Sequence, residues 1–584
     1  MKCFVMACMV GAMMAQTGYG AVNPKSAQVQ FLAASDAYFD SVCFPFQPTN
    51  GTLAGYHQYD EKLEDFSARN REAEIAALLA VERRVESIPA TGLDQTTRAD
   101  RELVLASIHS RLLTLETIRP WEKDADAYSS VISNGVFSLM ERSFAPQDVR
   151  LRSVIAREKQ MPALLAEARV NLRNPPKVYT EIAIEQLPGI VSFFEHDVPM
   201  AFSEVKDPQI LSQFQASNGA VIKGLKSYQH WLETDLLPQS KGDFRWGADT
   251  FRKKLAYDEM VDIPLDRLLG IGKADLAKNQ ASFNRLAKEL ELTKDPRAVL
   301  EELGADHPAP DRLLQSFRDT FDGLISFIQQ HNIVTIPSQV RPILEETPPF
   351  MQATTFASMD TPGPFEQHAT EAYFNVTLPD KNMTPVQVES YMHSFNVGTI
   401  VSTAVHEAYP GHYVQFLWVP QAPSRVRKLL GASSNAEGWA HYCEQMMLDE
   451  GYGQPGVGAK DARESKLLRL GQLQDALLRD ARFVVGIEMH TGTMTMDQAI
   501  QFFEHQGYQS HETAMVETRR GTSDGTYLYY TLGKLEILKL RSDVQKKEGA
   551  AFSLEKFHDA FLSLGFPPIK IVRQAMLGDD SPTL

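Results

Sequence analysis

The chain has 584 residues, of which 43% are hydrophobic and 23% charged, with a formal net charge of −16. These proportions are those of a globular domain and exclude a fibrous, low-complexity or disulfide-scaffold chain. The acidic balance repels phosphate backbones, so nucleic acid is not an expected partner.

The first residues differ from the rest. Met1-Lys2 gives a short positive start, a Met/Ala/Val-rich run continues through Met14, and Gly18-Tyr19-Gly20 supplies small residues at the positions a signal peptidase reads. This predicts a signal peptide over residues 1–20, cleavage before Ala21, and export to the periplasm or the extracellular space. Val5-Met6-Ala7-Cys8 resembles a lipoprotein cleavage box but lies too close to Met1 to leave an apolar core before it. No later stretch has the ~20 unbroken apolar residues of a membrane-spanning helix. Cys43 and Cys443 follow the expected signal. Two cysteines are too few for a disulfide framework, and the sequence leaves their pairing open.

Helical periodicity then dominates. Ile75, Leu78, Leu79, Val85 and Ile88 fall near one face before Pro89, and Leu105, Ile108, Leu112 and Leu115 repeat the pattern before Pro120. Leu313, Leu314, Phe317, Phe321, Leu324, Ile325 and Ile328 form the clearest stripe, spanning about four turns. Strand signals are few. Ile333 to Ile336 is a β-branched run closed by Pro337, and Tyr373 to Leu378 alternates before Pro379. The Pro- and Thr-rich stretch 337–385 is expected to hold loops and a small sheet, at the seam between a helical N-terminal region (21–336) and a metal-site catalytic region (337–584). The predicted class is mainly α, a large helical fold with a minor β element, with the two regions as separate units or as one continuous domain.

Thr384-Pro385-Val386-Gln387 is a helix start, with Thr384 as cap, Pro385 at the first position and Gln387 placed for a capping box. Ile400, Val401, Ala404 and Val405 continue helically and deliver His406-Glu407. The segment then reads Ala408-Tyr409-Pro410-Gly411-His412. Adjacent His-Glu on a helix followed by a second His is the pattern of zinc peptidases, where the histidines stand one turn apart. Here they are six positions apart, and an unbroken helix would point His412 about 120° away from His406. Pro410 has no N–H for the His406 carbonyl and disfavours helical geometry at Tyr409, and Gly411 is free to take positive φ. The helix is therefore expected to bend there and swing His412 back.

A catalytic zinc takes three protein ligands and keeps one position for water. Glu437, His441 and Glu444 repeat at i, i+4 and i+7 on one helical face, beside Trp439, Ala440 and Met447. Glu437 is the expected third ligand; His441 and Glu444 are placed to orient ligands by hydrogen bonds. Glu407 is the expected base, taking a proton from a water that zinc has acidified. One Zn2+ is the expected cofactor, because two imidazoles and a carboxylate suit it.

At these residues the chain resembles the bacterial domain-of-unknown-function 885 family, grouped with gluzincin-type metallopeptidases. His406-Glu407-Ala408-Tyr409-Pro410-Gly411-His412 matches its His-Glu-x-x-Pro-Gly-His hallmark, and Glu437-Gly438-Trp439-Ala440-His441-Tyr442 matches its Glu-Gly-Trp-Ala-x-Tyr block. Arg482, His490, Ala499, Glu517, Arg520 and Tyr530-Thr531-Leu532-Gly533-Lys534 continue its order. The resemblance implies a mostly helical fold, peptide hydrolysis, metal binding by His406, His412 and Glu437, and Glu407 as base. It adds His490, Arg520 and Tyr530 as site residues: Tyr530 or His490 as donor to a developing oxyanion, Arg520 as clamp on a substrate carboxylate. Gly486, Glu488 and Asp524-Gly525-Thr526-Tyr527 depart from the family pattern, which leaves substrate choice open.

The leading expectation is an exported zinc peptidase acting on a peptide substrate. The competing readings are a metal-dependent amidase or esterase on a non-peptide substrate such as a cell-wall fragment, and a non-catalytic binding protein on a degenerate peptidase fold. Glu407 argues against the last, because metal binding alone does not need it. The sequence has no Gly-x-Ser-x-Gly nucleophile elbow.

Overall fold

The stripe that begins at Leu313 forms one helix, Leu313–Gln330, in the computed structural model of the chain, which describes residues 24–290, 295–348, 351–352 and 355–584. The expected signal peptide lies outside the described residues. Phe317 and Phe321 of that helix are buried and pack edge-on against Phe374 and Tyr409, at ring separations of 5.4 and 5.2 Å. Each buried Phe contributes about 1.5–3 kcal/mol by leaving water. The same core takes in Val401, Val405, Trp439 and Ile537. A helix from before the 336/337 seam thus shares its core with the helices that carry His406 and Glu437.

The earlier periodic stretches are also helices. Ala68–Glu86 is capped by the Ser67 side chain and ends before Pro89. Gln95–Leu113 is capped by Asp94 and runs on into a π-helical turn, Thr114–Ile118.

The expected small sheet has three strands, β1 (Ile343–Glu346), β2 (Ala357–Asp360) and β3 (Tyr373–Val376). β3 is central, parallel to β1 and antiparallel to β2, with Phe374 opposite Leu344 and Met359. The Ile333–Ile336 run is not a strand. Ile333 and Val334 are buried in the main core, and the local backbone is held by the helix Leu554–Leu562. His558 Nδ1 lies 2.7 Å from the Ile333 carbonyl, and the Thr335 N–H donates to Asp559. The β-branched pattern there reports burial, and the partner groups come from side chains.

The C-terminal half is a bundle. Helix Ser433–Asp449 packs closely on Tyr529–Glu548. At the crossing a Cβ on Gly438 would stand 2.5 Å from the Cα of Gly533, so the two backbones touch where only hydrogen is tolerated. Helix Ala462–His490 runs alongside Val397–Glu407. Cys43 and Cys443 are both free thiols. Among the described residues, no helix is long and apolar enough to cross a membrane.

Candidate metal centre

The approach to the site begins at the expected capping box, which forms at Thr384 and Gln387 and starts the helix Pro385–Met392. A tight turn, His393–Phe395, follows. Asn396 then caps the helix Val397–Glu407, its Oδ1 accepting from the Gly398 and Thr399 N–H groups at 3.0 and 3.1 Å. The helix stops at Glu407, and a second one, His412–Trp418, starts after the Tyr409–Pro410 cis peptide. The expected bend is present, but Gly411 has φ −67°, so positive φ is not its contribution. A Cβ there would lie 1.8 Å from the His406 carbonyl oxygen. Glycine is needed because the chain folds back onto the helix it has just left, with Gly411 N–H donating to the Val405 carbonyl at 2.9 Å. Trp439, from the Glu437 helix, clasps the bend by donating to the Pro410 carbonyl at 2.9 Å.

The bend brings the two imidazoles together, with ring centres 4.8 Å apart and planes at 88°. One oxygen of Glu437, Oε2, stands 3.3 Å from His406 Nε2 and 3.4 Å from His412 Nε2. Those separations are long for hydrogen bonds. They match the spacing of about 3.3–3.4 Å between neighbouring ligands of a tetrahedral ion with bonds near 2.0–2.1 Å. The three residues fit a zinc ion on that ground.

Behind the ligands lies a supporting set. His406 Nδ1 is 2.6 Å from Glu444 Oε1, and His441 Nδ1 is 3.0 Å from Glu444 Oε2. The Nδ1–H of His406 is thereby committed to a carboxylate, which leaves Nε2 as the lone pair facing His412 and Glu437. Burial alone would raise the Glu444 carboxyl, but the Arg479 guanidinium at 3.3 Å, His441 and hydrogen bonds hold it well below the usual range. Burial likewise opposes ionisation of Glu437, and the two histidines overcome it. Burial lowers His406, but the Glu437 and Glu444 carboxylates beside its two nitrogens and the Glu407 charge together draw it up to about 10. The carboxylates thus favour a positive charge at this point, which a divalent cation among the three ligand atoms would supply in place of the proton. His441 is fully buried and pushed down to about 3, so it is neutral.

Glu407 and His406 line a cavity of about 780 Å³ together with Arg479, Arg482, Arg520 and Tyr530. Tyr530 lies with its ring 6.4 Å from that of His406, and its hydroxyl accepts from Arg520 at 3.2 Å. The tyrosine is raised, chiefly by burial and by Glu437. Arg520 also approaches Asp524 at 3.4 Å and keeps about a third of its side chain exposed. Arg482 is held by Glu517 through two bonds of 2.6 and 2.7 Å, so it shapes the wall.

His490 is placed elsewhere. It is fully buried, with Nε2 2.8 Å from the Gly521 carbonyl and its ring 4.6 Å from Trp246 and 5.6 Å from Phe244. It does not line the cavity. Burial pushes it down to about 4, and the structure sets it against the Gly521 carbonyl and Trp246, away from the residues that line the cavity.

Three features were missed from the sequence. Arg479 clamps Glu444, and Asp475 one turn earlier flanks it at 3.6 Å. Lys534, fully buried, pairs with Asp275 at 2.7 Å behind His441. The far wall of the cavity comes from Asp126, Ser130, Asn134 and Gln186 of the N-terminal region. The first had a signal: Asp475, Arg479 and Arg482 repeat on one helical face, as Glu437, His441 and Glu444 do.

Fold and site together define a mainly helical protein with a candidate His/His/Glu metal centre at the foot of a cavity. The chain belongs to the family of bacterial proteins of unknown function DUF885, which it matches over residues 48–576. A solved structure described as a "putative lipoprotein of unknown function" from Shewanella oneidensis is 28% identical, with a TM-score of 0.76 over 94% of this chain and 99% of that one. One described as a "putative lipoprotein" from Colwellia psychrerythraea shares the fold at 18% identity, with a TM-score of 0.77 over 95% and 99%. No curated protein matches the chain significantly.

Proposed function

We propose that the chain is a zinc-dependent peptidase in which His406, His412 and Glu437 hold the ion and Glu407 is the general base. The observation that carries the reading is the spacing of the three ligand atoms, 3.3 and 3.4 Å about one carboxylate oxygen, beside Glu407 on the wall of a cavity. Zinc in such a site supplies Lewis acidity and acidifies water near neutral pH. The Glu407 carboxylate takes the proton of the attacking water and returns it to the leaving nitrogen. The Tyr530 hydroxyl donates to the oxygen of the scissile carbonyl as charge develops there. Arg520 accepts no proton; it holds Tyr530 and presents its remaining N–H groups to a substrate carboxylate.

The sheet favours a peptide over a non-peptide substrate. β2 pairs with β3 alone among the described residues, and Phe356, Ala357 and Ser358 lie on the cavity wall. A free strand edge offers alternating N–H and C=O groups to an extended chain. The cavity volume suits a short peptide. An exported location, periplasmic or extracellular, agrees with the N-terminal sequence and with the lipoprotein description of the two structural relatives.

The test is a library of short peptides incubated with the zinc-loaded chain, with products read by mass spectrometry. Cleavage that chelation abolishes and zinc restores supports the proposal. A fully zinc-loaded chain that cleaves no peptide but hydrolyses glycan-linked amides or esters would replace it.

A further inference from the structure

A second group of two histidines and one glutamate lies apart from the cavity's metal ligands. His307 follows the helix Pro296–Gly304, Glu389 lies on the helix Pro385–Met392, and His393 opens the next turn. The ligand atoms of all three fall within 4.8 Å of one another. His307 Nε2 is 3.4 Å and His393 Nε2 3.7 Å from the same oxygen, Oε1, of Glu389. The histidine rings are 5.8 Å apart.

Two details separate this group from chance surface polarity. The His307 side chain is nine-tenths buried, and its Nε2 has no hydrogen-bond partner although it points toward Glu389. Its Nδ1 lies 2.8 Å from the Pro308 carbonyl, so that nitrogen carries the hydrogen and Nε2 is a bare lone pair. A buried unpaired acceptor is costly, and a cation beside it removes the cost. The second detail is the close seating of the two segments. A Cβ on Gly304 would stand 2.8 Å from the Cβ of His393, so glycine lets the His307 turn approach. Glu389 and His393 are partly exposed, at 62% and 33%, which leaves a route of entry and room for water on the outer side.

We propose that His307, Glu389 and His393 form a second, structural metal site, for zinc or another divalent ion that favours imidazole. The site ties the Pro296–Gly304 helix to the turn His393–Phe395. Ser394 and Phe395 of that turn line the cavity, and the next residue, Asn396, caps the helix that delivers His406. A bound ion would therefore fix one wall of the cavity and the start of the His406 helix without touching the reacting groups. The inference stands whether or not the cavity is a peptidase site.

The test is zinc analysis of the purified full chain after equilibration with excess zinc and desalting. The expected result is about two equivalents per chain, falling by one in His307→Ala/His393→Ala and by one in His406→Ala/His412→Ala. In the second variant added zinc should still raise the thermal midpoint, because a ligand that binds only the folded state stabilises it. Adding Glu389→Gln there should diminish that shift. Should the first double variant fail to fold, His307→Gln takes its place, with the same expected loss of one equivalent. A wild-type chain with one equivalent, all of it lost in His406→Ala/His412→Ala and none in His307→Gln, overturns the second site and leaves the first intact.

Discussion

Glu444 Oε1 stands 2.6 Å from His406 Nδ1, and this contact decides which nitrogen of the imidazole is offered to a metal. The carboxylate is itself gripped by Arg479 and His441. Glu444→Gln keeps the shape and removes the charge, and should weaken zinc about tenfold to a hundredfold. A competition titration against a chelator of known affinity measures this, with His406→Ala as the limit of loss from the cavity site.

Gly411 is the steric hinge of the site. Its φ is ordinary, but a side chain would run into the His406 carbonyl. Gly411→Ala should cost on the order of 3 kcal/mol and spread the two imidazoles apart, with loss of the cavity zinc. Gly219, in the helix Pro208–Trp231, meets nothing within 4 Å. Gly219→Ala should stabilise by about 0.5–1 kcal/mol. Urea denaturation of both variants separates a clash from a general effect of alanine.

Arg520 reaches Tyr530 and Asp524 and remains about one-third exposed on the cavity side. Arg520→Ala should lower kcat/KM for peptides with a free C-terminal carboxylate by about tenfold to a hundredfold relative to their amides, as expected for a charged hydrogen bond of about 1.5–3 kcal/mol. Equal losses on both substrates would restrict Arg520 to holding Tyr530.

His490 gives a stability prediction. Burial depresses its folded pKa from 6.5 to about 4. Above pH 6.5 the imidazole is neutral folded and unfolded and contributes no pH dependence. Between about pH 6.5 and 4 the unfolded chain binds the proton that the folded chain refuses, so stability falls as pH falls, by about 2 kcal/mol at pH 5. His490→Asn should lose that part of the slope in urea melts at pH 7 and pH 5. Peptide turnover at pH 7 should persist in this variant, because the ring faces Trp246 and Phe244 and not the cavity.

What could be read in the sequence was whatever local chemistry imposes. Pro410 and Gly411 announced a break between His406 and His412, and the stripe Glu437, His441, Glu444 announced one polar face on a buried helix. Thr384 and Gln387 announced a cap that forms as expected. The missing parts depend on distant chain. Arg479 and Lys534 look like solvated charges until Glu444 and Asp275 close on them from other helices. The far wall around Asp126 and Gln186 has no local mark at all. Ile333–Ile336 was misread because β-branched residues signal burial in an extended chain as readily as pairing in a sheet. His490 came only from the family resemblance, which carries no geometry, and the structure places it against the Gly521 carbonyl and outside the cavity lining.

The proposed reaction rests most heavily on Glu407. The decisive measurement is turnover of a cleaved peptide by zinc-loaded Glu407→Gln, with metal content measured on the same sample. The account predicts undiminished zinc and a kcat lower by about two to four orders of magnitude, the usual worth of a general base. Zinc retained with turnover equal to the wild type would contradict it.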